Sequence, residues 1–461
     1  MWSFTLDNYD LVWKFIVQCL LLLGFLVLGN LIRRSIPFLK KSFIPSALIG
    51  GLLLVLVDLF VNWLVPGDEF RLVDKDIMQV ITYHALAIGF IATTLKVANK
   101  EKKKGLGLMS IQNGLITGGT YMLQAVFGIL TLLLFVAFGA NVLAHYGVIL
   151  PLSFGQGPGN AMIWTKNFEI DMNGSFGLAL ASIGFIVASL VGVIYLNIFR
   201  RKGQIVRGST LGERRVEEFV EQHEIEDNDS VDKLSIQIGI VAICYAIAFG
   251  IMAALHATKS DMVQSLAWGF NFIFGVISAT LVKAILVFAK KKNIIKHKYI
   301  NNYQMDRISG FAFDLMIIAG VGAIEIHEVA KYIWVIIALT AVGTIITYIY
   351  VRLMTKLSFR GLEHQMFLVN FGTLTGTASN GMILLREVDS TFETPASEIF
   401  IISQFPAMIA VAPLLLLTKF SSLTFTKTMI ALGIFAACAI GYTVALILIA
   451  KKKYSGEAKQ I

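Results

Sequence analysis

Ser153-Phe154-Gly155-Gln156-Gly157-Pro158-Gly159-Asn160-Ala161 and Asn370-Phe371-Gly372-Thr373-Leu374-Thr375-Gly376-Thr377-Ala378-Ser379-Asn380-Gly381 interrupt long apolar runs with glycine, proline and small polar residues. Such residues are poor material for a plain spanning helix. Inside a bilayer, irregular backbone survives only where protein buries it or where it lines a water-filled cavity. The two stretches are therefore the first candidates for a site.

Outward from them the chain is apolar almost throughout. It has 461 residues, of which 56% are hydrophobic and 15% charged, against about a quarter charged in soluble domains. The apolar runs are continuous, whereas a transmembrane β-barrel alternates over segments of about ten residues. The sequence thus predicts an all-α polytopic membrane protein. Spans are expected at Leu11–Leu31, Ser46–Val65, Ile77–Val97, Ser110–Phe138, Phe176–Phe199, Ser235–Leu255, Val263–Ala289, Ile308–His327, Tyr332–Arg352, Ser397–Thr418 and Thr426–Ala450. Each approaches the ~20 residues that a hydrocarbon core requires. Met1–Asp10 lacks a basic region and a cleavage site, so the first run is read as a retained span.

The formal charge of +9 raises nucleic acid as a partner in a soluble protein. Here the cations sit in short loops at span ends, so the partner they point to is the bilayer. Arg33, Arg34, Lys40 and Lys41 follow the first span; Lys100, Lys102, Lys103 and Lys104 the third; Arg200, Arg201 and Lys202 the fifth; Lys290, Lys291 and Lys292 the seventh; Arg352, Lys356 and Arg360 the ninth; Lys451, Lys452 and Lys453 the last. Every second connection is basic, which places the N-terminus outside, the C-terminus inside, and about eleven spans between them. Cys19, Cys244 and Cys438 are far apart and give no metal-ligand or redox spacing.

The alternation holds only if segments 148–168 and 366–386 do not cross. Both are therefore expected as re-entrant hairpins, the first entering from outside and the second from inside. The chain then divides into two five-helix repeats of opposite orientation, 1–199 and 235–420. A polar cytoplasmic linker, 200–234, joins them, and 421–461 adds an extra helix and a basic tail. This is the pattern of an inverted-repeat transporter with its site where the repeats meet.

The chemistry of the two stretches fits a solute and an ion. Half-helices meeting at a tip leave N–H groups that favour a carboxylate and carbonyls that favour a cation. Ser153, Gly155, Gln156, Gly157, Gly159 and Asn160, with Asn380 and Gly381, are the candidates for substrate binding. Asn370, Gly372, Thr373, Thr375, Gly376, Thr377 and Ser379 supply the backbone freedom and the hydroxyl and amide oxygens suited to a hard monovalent cation, and Asp314 joins them as an intramembrane carboxylate. The competing reading of the glycines and threonines is close helix packing through small residues. His84 is expected to be buried and hydrogen-bonded. Asp58 and Lys283 are expected at the interface, and Lys166 and Arg386 as snorkelling anchors. No HExxH, G-x-S-x-G or paired intramembrane aspartate is present, so an enzyme is not expected.

Lys40-Lys41-Ser42-Phe43-Ile44-Pro45 leading into Gly50-Gly51-Leu52-Leu53, the Gly155–Trp164 segment with Lys166 and Glu169 after it, and the Gly372–Asn380 segment with Arg386 and Glu387 after it resemble the glutamate:sodium symporter family, which is related to the 2-hydroxycarboxylate symporters. The resemblance implies sodium-coupled uptake of glutamate or a related small carboxylate, elevator-like alternating access, a homodimer, and a bacterial plasma membrane as location. It implies no cofactor beyond Na+ as coupling ion and no transition-metal site. Coupling to H+ with another organic anion, and an ion channel using the hairpins as a filter, are the alternatives.

Overall fold

The computed structural model describes residues 9–41, 44–64, 72–96, 105–170, 174–204, 234–258, 263–264, 267–268, 271–297, 299–389 and 394–457. The acidic linker expected at 200–234 falls mostly at 205–233, outside the described residues, as do the lysines of 100–104.

Every regular element among the described residues is a helix. In chain order they are α1 (Tyr9–Ser35), α2 (Pro37–Lys41), α3 (Ser46–Leu64), α4 (Lys75–Leu95), α5 (Leu106–Ala137), α6 (Ile149–Phe154), α7 (Gly157–Asn167), α8 (Ser175–Arg201) and α9 (Leu234–His256). Then follow α10 (Asn271–Lys291), α11 (Asn302–Gly322), α12 (Ile326–Lys331), α13 (Ile333–Ser358), α14 (Glu363–Thr375), α15 (Ala378–Arg386), α16 (Ala396–Ser421) and α17 (Phe425–Glu457). A 3-10 turn, Ala144–Val148, leads into α6. Among the described residues, ten helices are long and apolar enough to cross a membrane: α1, α3, α4, α5, α8, α9, α10, α13, α16 and α17.

The expected eighth span, Ile308–His327, is corrected in both bounds. The Asn301 side chain accepts from the Gln304 N–H at 3.1 Å, a cap that starts α11 at Asn302. The helix stops at Gly322, and the following chain turns so that the Glu325 N–H donates to the Ser175 hydroxyl at 2.9 Å. Each eighteen-residue window of α11 holds Asp306, Arg307 and Asp314, which sets it apart from the ten apolar helices.

The helices pack as two bundles. α1, α3, α4, α9, α10 and α11 form one; α5 to α8 and α13 to α17 form the other. The main contacts between the bundles run from α7 to α4 and α11 and from α8 to α11, and α12 packs on α8. Small residues set the closest crossings, as is usual between membrane helices. A Cβ on Gly89 of α4 would stand 2.6 Å from the Phe313 ring of α11, and one on Gly114 of α5 2.8 Å from the backbone of Pro406 and Ala407 in α16. Buried Ser and Thr hydroxyls mostly donate to the carbonyl one turn back, as Thr82, Thr131 and Thr418 do. That satisfies them without leaving the helix.

α17 packs against α5 and α16. Its residues Ala431, Phe435 and Ala439 are buried in the main core, and the Tyr442 hydroxyl donates to the Ala410 carbonyl at 3.0 Å.

Three polar residues take specific partners. Asp58 is buried, 2.9 Å from the Lys75 ammonium, which also donates to the Gly322 carbonyl at 2.9 Å. Lys283 reaches the last carbonyls of α4, those of Thr94 (2.5 Å) and Lys96 (3.2 Å). Cations are favoured at such a helix end. His84 is hydrogen-bonded, to Tyr245 at 2.5 Å, but it is exposed rather than buried.

Candidate functional site

Each of the two polar stretches is a broken helix. In the first, α6 ends at Phe154, Gly155-Gln156 turn, and α7 begins at Gly157. Pro158 falls in the first turn of α7, where its missing N–H is harmless. Gly157 has φ +80°, a left-handed conformation that side chains other than glycine's resist. In the second, α14 ends at Thr375, Gly376-Thr377 break the chain, and α15 begins at Ala378. Within each pair the two half-helices pack on one another.

The breaks meet. A Cβ on Gly157 would lie 3.5 Å from both Thr377 Cγ2 of the second break and Met316 Cε of α11. On α8, Gly184 leaves room for the Thr375 carbonyl, and its Cβ would stand 3.2 Å from Phe154 Cδ1. Gln124 of α5, fully buried, donates to Thr347 Oγ1 (2.7 Å) and to the Leu374 carbonyl (3.0 Å) in the last turn of α14. Four helix ends therefore converge: the C-terminal ends of α6 and α14, which favour a cation, and the N-terminal ends of α7 and α15, which favour an anion.

Neither N-terminal end is capped by its own side chain. The amide of Asn160, 0% exposed, donates to Gln156 Oε1 at 3.0 Å and keeps its oxygen without a partner. Asn380, 3% exposed, accepts from the Thr377 hydroxyl at 3.1 Å and keeps its nitrogen without one. Gln124 Oε1 is likewise unmatched. Buried polar atoms are normally hydrogen-bonded, so three open atoms around one junction mark a place built for a polar guest. The side chains that meet here, Gln156, Asn160, Met316, Thr377, Asn380 and Gln124, carry no formal charge.

The other expected site residues have different surroundings. The Ser153 hydroxyl donates to the Gly177 carbonyl of α8 at 3.3 Å. Gly155 lies against the ring of Tyr121, where a Cβ would enter the ring, and Gly159 lies against Leu86, where a Cβ would stand 2.9 Å from Cδ2. Gly372 and Gly381 face each other and let α14 and α15 cross closely; a Cβ on Gly372 would stand 2.8 Å from the Gly381 Cα. These four show the small-residue packing that competed with the site reading. The hydroxyls of Thr373 and Thr375 donate one turn back, to Val369 and Phe371, each at 2.7 Å. Asn370 donates to Asn113 Oδ1 of α5 at 2.6 Å, and Asn113 donates to Ser403 of α16 at 2.8 Å. Gly376 sits in the second break itself. The side chain of Ser379 lies outside the described residues.

Asp314 lies on another face of α11 from Met316. Met316, two residues later, faces Gly157, so Asp314 projects about 200° away around α11. It shares a face with Ile318, whose Cδ1 would stand 3.1 Å from a Cβ on Gly50 of α3. Lys166 does not snorkel: it is half-buried and its ammonium donates to Gln79 of α4. Gln124, Tyr121, Met316 and Gly184 were not singled out from the sequence. Only Gln124 carried a signal, as one of several polar side chains in the apolar run of α5.

The first broken helix is also held at its base. His145, buried in the 3-10 turn, stands edge-on to Phe168 just after α7, with ring centroids 5.0 Å apart. Burial, with Lys419 adding to it, pushes its imidazole down to about 4, so it packs as a neutral ring at pH 7.

Residues 9–366 match the family described as sodium/glutamate symporter. The match takes in the first broken helix and ends before the tip of the second. No individual curated protein matches the chain.

Proposed function

We propose, because the chain belongs to the sodium/glutamate symporter family, that it couples inward Na+ movement to uptake of glutamate or a closely related small carboxylate. The observation that carries this reading is the junction of two broken helices, which sets anion-favouring and cation-favouring helix ends around unmatched buried amides. The substrate carboxylate takes the N–H groups at the starts of α7 and α15, with Gln156, Asn160 and Asn380 beside them. Na+ takes the oxygens at the end of α14 and of Thr375 and Thr377. No charged side chain is among those that meet there, so an anion entering alone leaves its charge uncompensated, a costly arrangement in a buried site. Co-binding of Na+ removes that penalty, and this is the physical basis of coupling.

The movement follows from the two bundles. One carries both broken helices, and the other supplies the wall of α4 and α11. Sliding of the first bundle along that wall gives elevator-like alternating access. α5 packs on α16, and α13 on α8, which pairs the fourth span of each half with the fifth of the other. This reciprocity supports two inverted halves, with the broken helices as re-entrant hairpins, and the alternation of basic connections supports an N-terminus outside and a C-terminus inside. A homodimer in a bacterial plasma membrane, with no cofactor beyond Na+, completes the proposal.

Purified protein in liposomes, given labelled glutamate with and without an inward Na+ gradient, tests it. Gradient-dependent accumulation is expected. Uptake indifferent to the gradient sinks the coupling, and no uptake of any acidic amino acid or dicarboxylate sinks the substrate class.

A further inference from the structure

α7 lies lengthwise along α4, antiparallel to it. Near the tip, Gly159 meets Leu86; seven residues later on α7 and seven earlier on α4, Lys166 donates to Gln79. Seven residues rise about 10.5 Å on each helix, so the two contacts are in register. They differ in kind. The tip contact is a glycine against an aliphatic side chain, which tolerates sliding. The base contact is a charged hydrogen bond, which is directional and stronger than a neutral one.

We infer that Lys166 is a positioning residue: its bond to Gln79 clasps the bundle that carries the broken helices to the wall in this one register, and transport requires the clasp to open. The inference rests on the sliding movement proposed above. Gln79 is 4% exposed and Lys166 half-buried, so the bond is shielded from water. One helical turn of displacement, about 5.4 Å, breaks it. One turn along that face of α4 the buried amide is not repeated: the positions there are Lys75, the exposed Asp76, Thr82 and Tyr83. Toward its N-terminus stands Lys75, a like charge already held by Asp58 and the Gly322 carbonyl. In the other direction stands Thr82, fully buried, whose hydroxyl donates to the Met78 carbonyl.

Four variants test the clasp: Gln79→Glu, Lys166→Met, Gln79→Leu, and the double variant Lys166→Met/Gln79→Leu. Gln79→Glu turns the hydrogen bond into an ion pair. It is expected to raise the melting temperature and to lower Vmax about tenfold, or ~1.4 kcal/mol, at unchanged KM. A contact that only supports the fold would move stability and rate together. Lys166→Met and Gln79→Leu are expected to melt lower, and the double variant to lose less than the sum of the singles. Wild-type Vmax in Gln79→Glu, with the wild type active, overturns the inference, and so do additive melting shifts. A wild type that takes up no carboxylate overturns the proposed function instead, and the melting cycle then decides the clasp alone.

Discussion

Gly157→Ala separates the junction from the fold. The substitution adds one methyl group where the two breaks meet. That methyl would stand 3.5 Å from Met316 Cε and from Thr377 Cγ2, which is ordinary contact, so no neighbour must move. The penalty comes from the backbone: at φ +80° a Cβ costs about 1–2 kcal/mol. Gly203, just after α8, has φ +67° and nothing within 4 Å of a Cβ, so Gly203→Ala carries the same backbone penalty away from the junction. Melting temperatures of the two variants should therefore agree. Uptake should not. Relaxing φ toward negative values re-aims the N–H groups at the start of α7, and losing one hydrogen bond to a charged guest is worth about 1.5–3 kcal/mol. KM should rise by roughly ten- to a hundredfold in Gly157→Ala relative to Gly203→Ala. Liposome uptake over a range of glutamate concentrations measures this. Equal KM and Vmax in the two variants would refute the placing of substrate at the α7 terminus.

Two further outcomes follow from charges elsewhere. Lys75→Met leaves the Asp58 carboxylate, 4% exposed, with the Val73 N–H at 3.3 Å and without its cation; removing one partner of a buried pair costs about 3 kcal/mol or more, so an unchanged melting temperature would show that the pair contributes nothing. Asp314→Asn should keep uptake and its Na+ dependence within about twofold of wild type, the range of substitutions outside a site; loss of the Na+ dependence would restore Asp314 as an ion ligand.

The spans were legible because their apolar runs are long and uninterrupted, and the breaks because Gly155 to Gly159 and Gly372 to Gly381 cannot continue such runs. What each glycine does was not legible. Gly157 is required by its own φ, whereas Gly155, Gly159, Gly372 and Gly381 are required by Tyr121, Leu86 and each other. That distinction depends on neighbours distant in sequence. The face that Asp314 takes depends on neighbours in the same way: a carboxylate in a span suggests a site, and two residues of helical rotation separate it from the Met316 side of α11. The start of α11 turned on one cap, Asn301, lying in a polar stretch that hydrophobicity alone does not resolve.

The two ends of the described chain belong to different bundles: α1 packs with α3 in the wall, and α17 packs with α5 and α16 beside the broken helices. A donor fluorophore fused ahead of α1 and an acceptor behind α17 would therefore make the protein its own ruler. Energy transfer between them reports the displacement of one bundle against the other while every residue of the junction stays native.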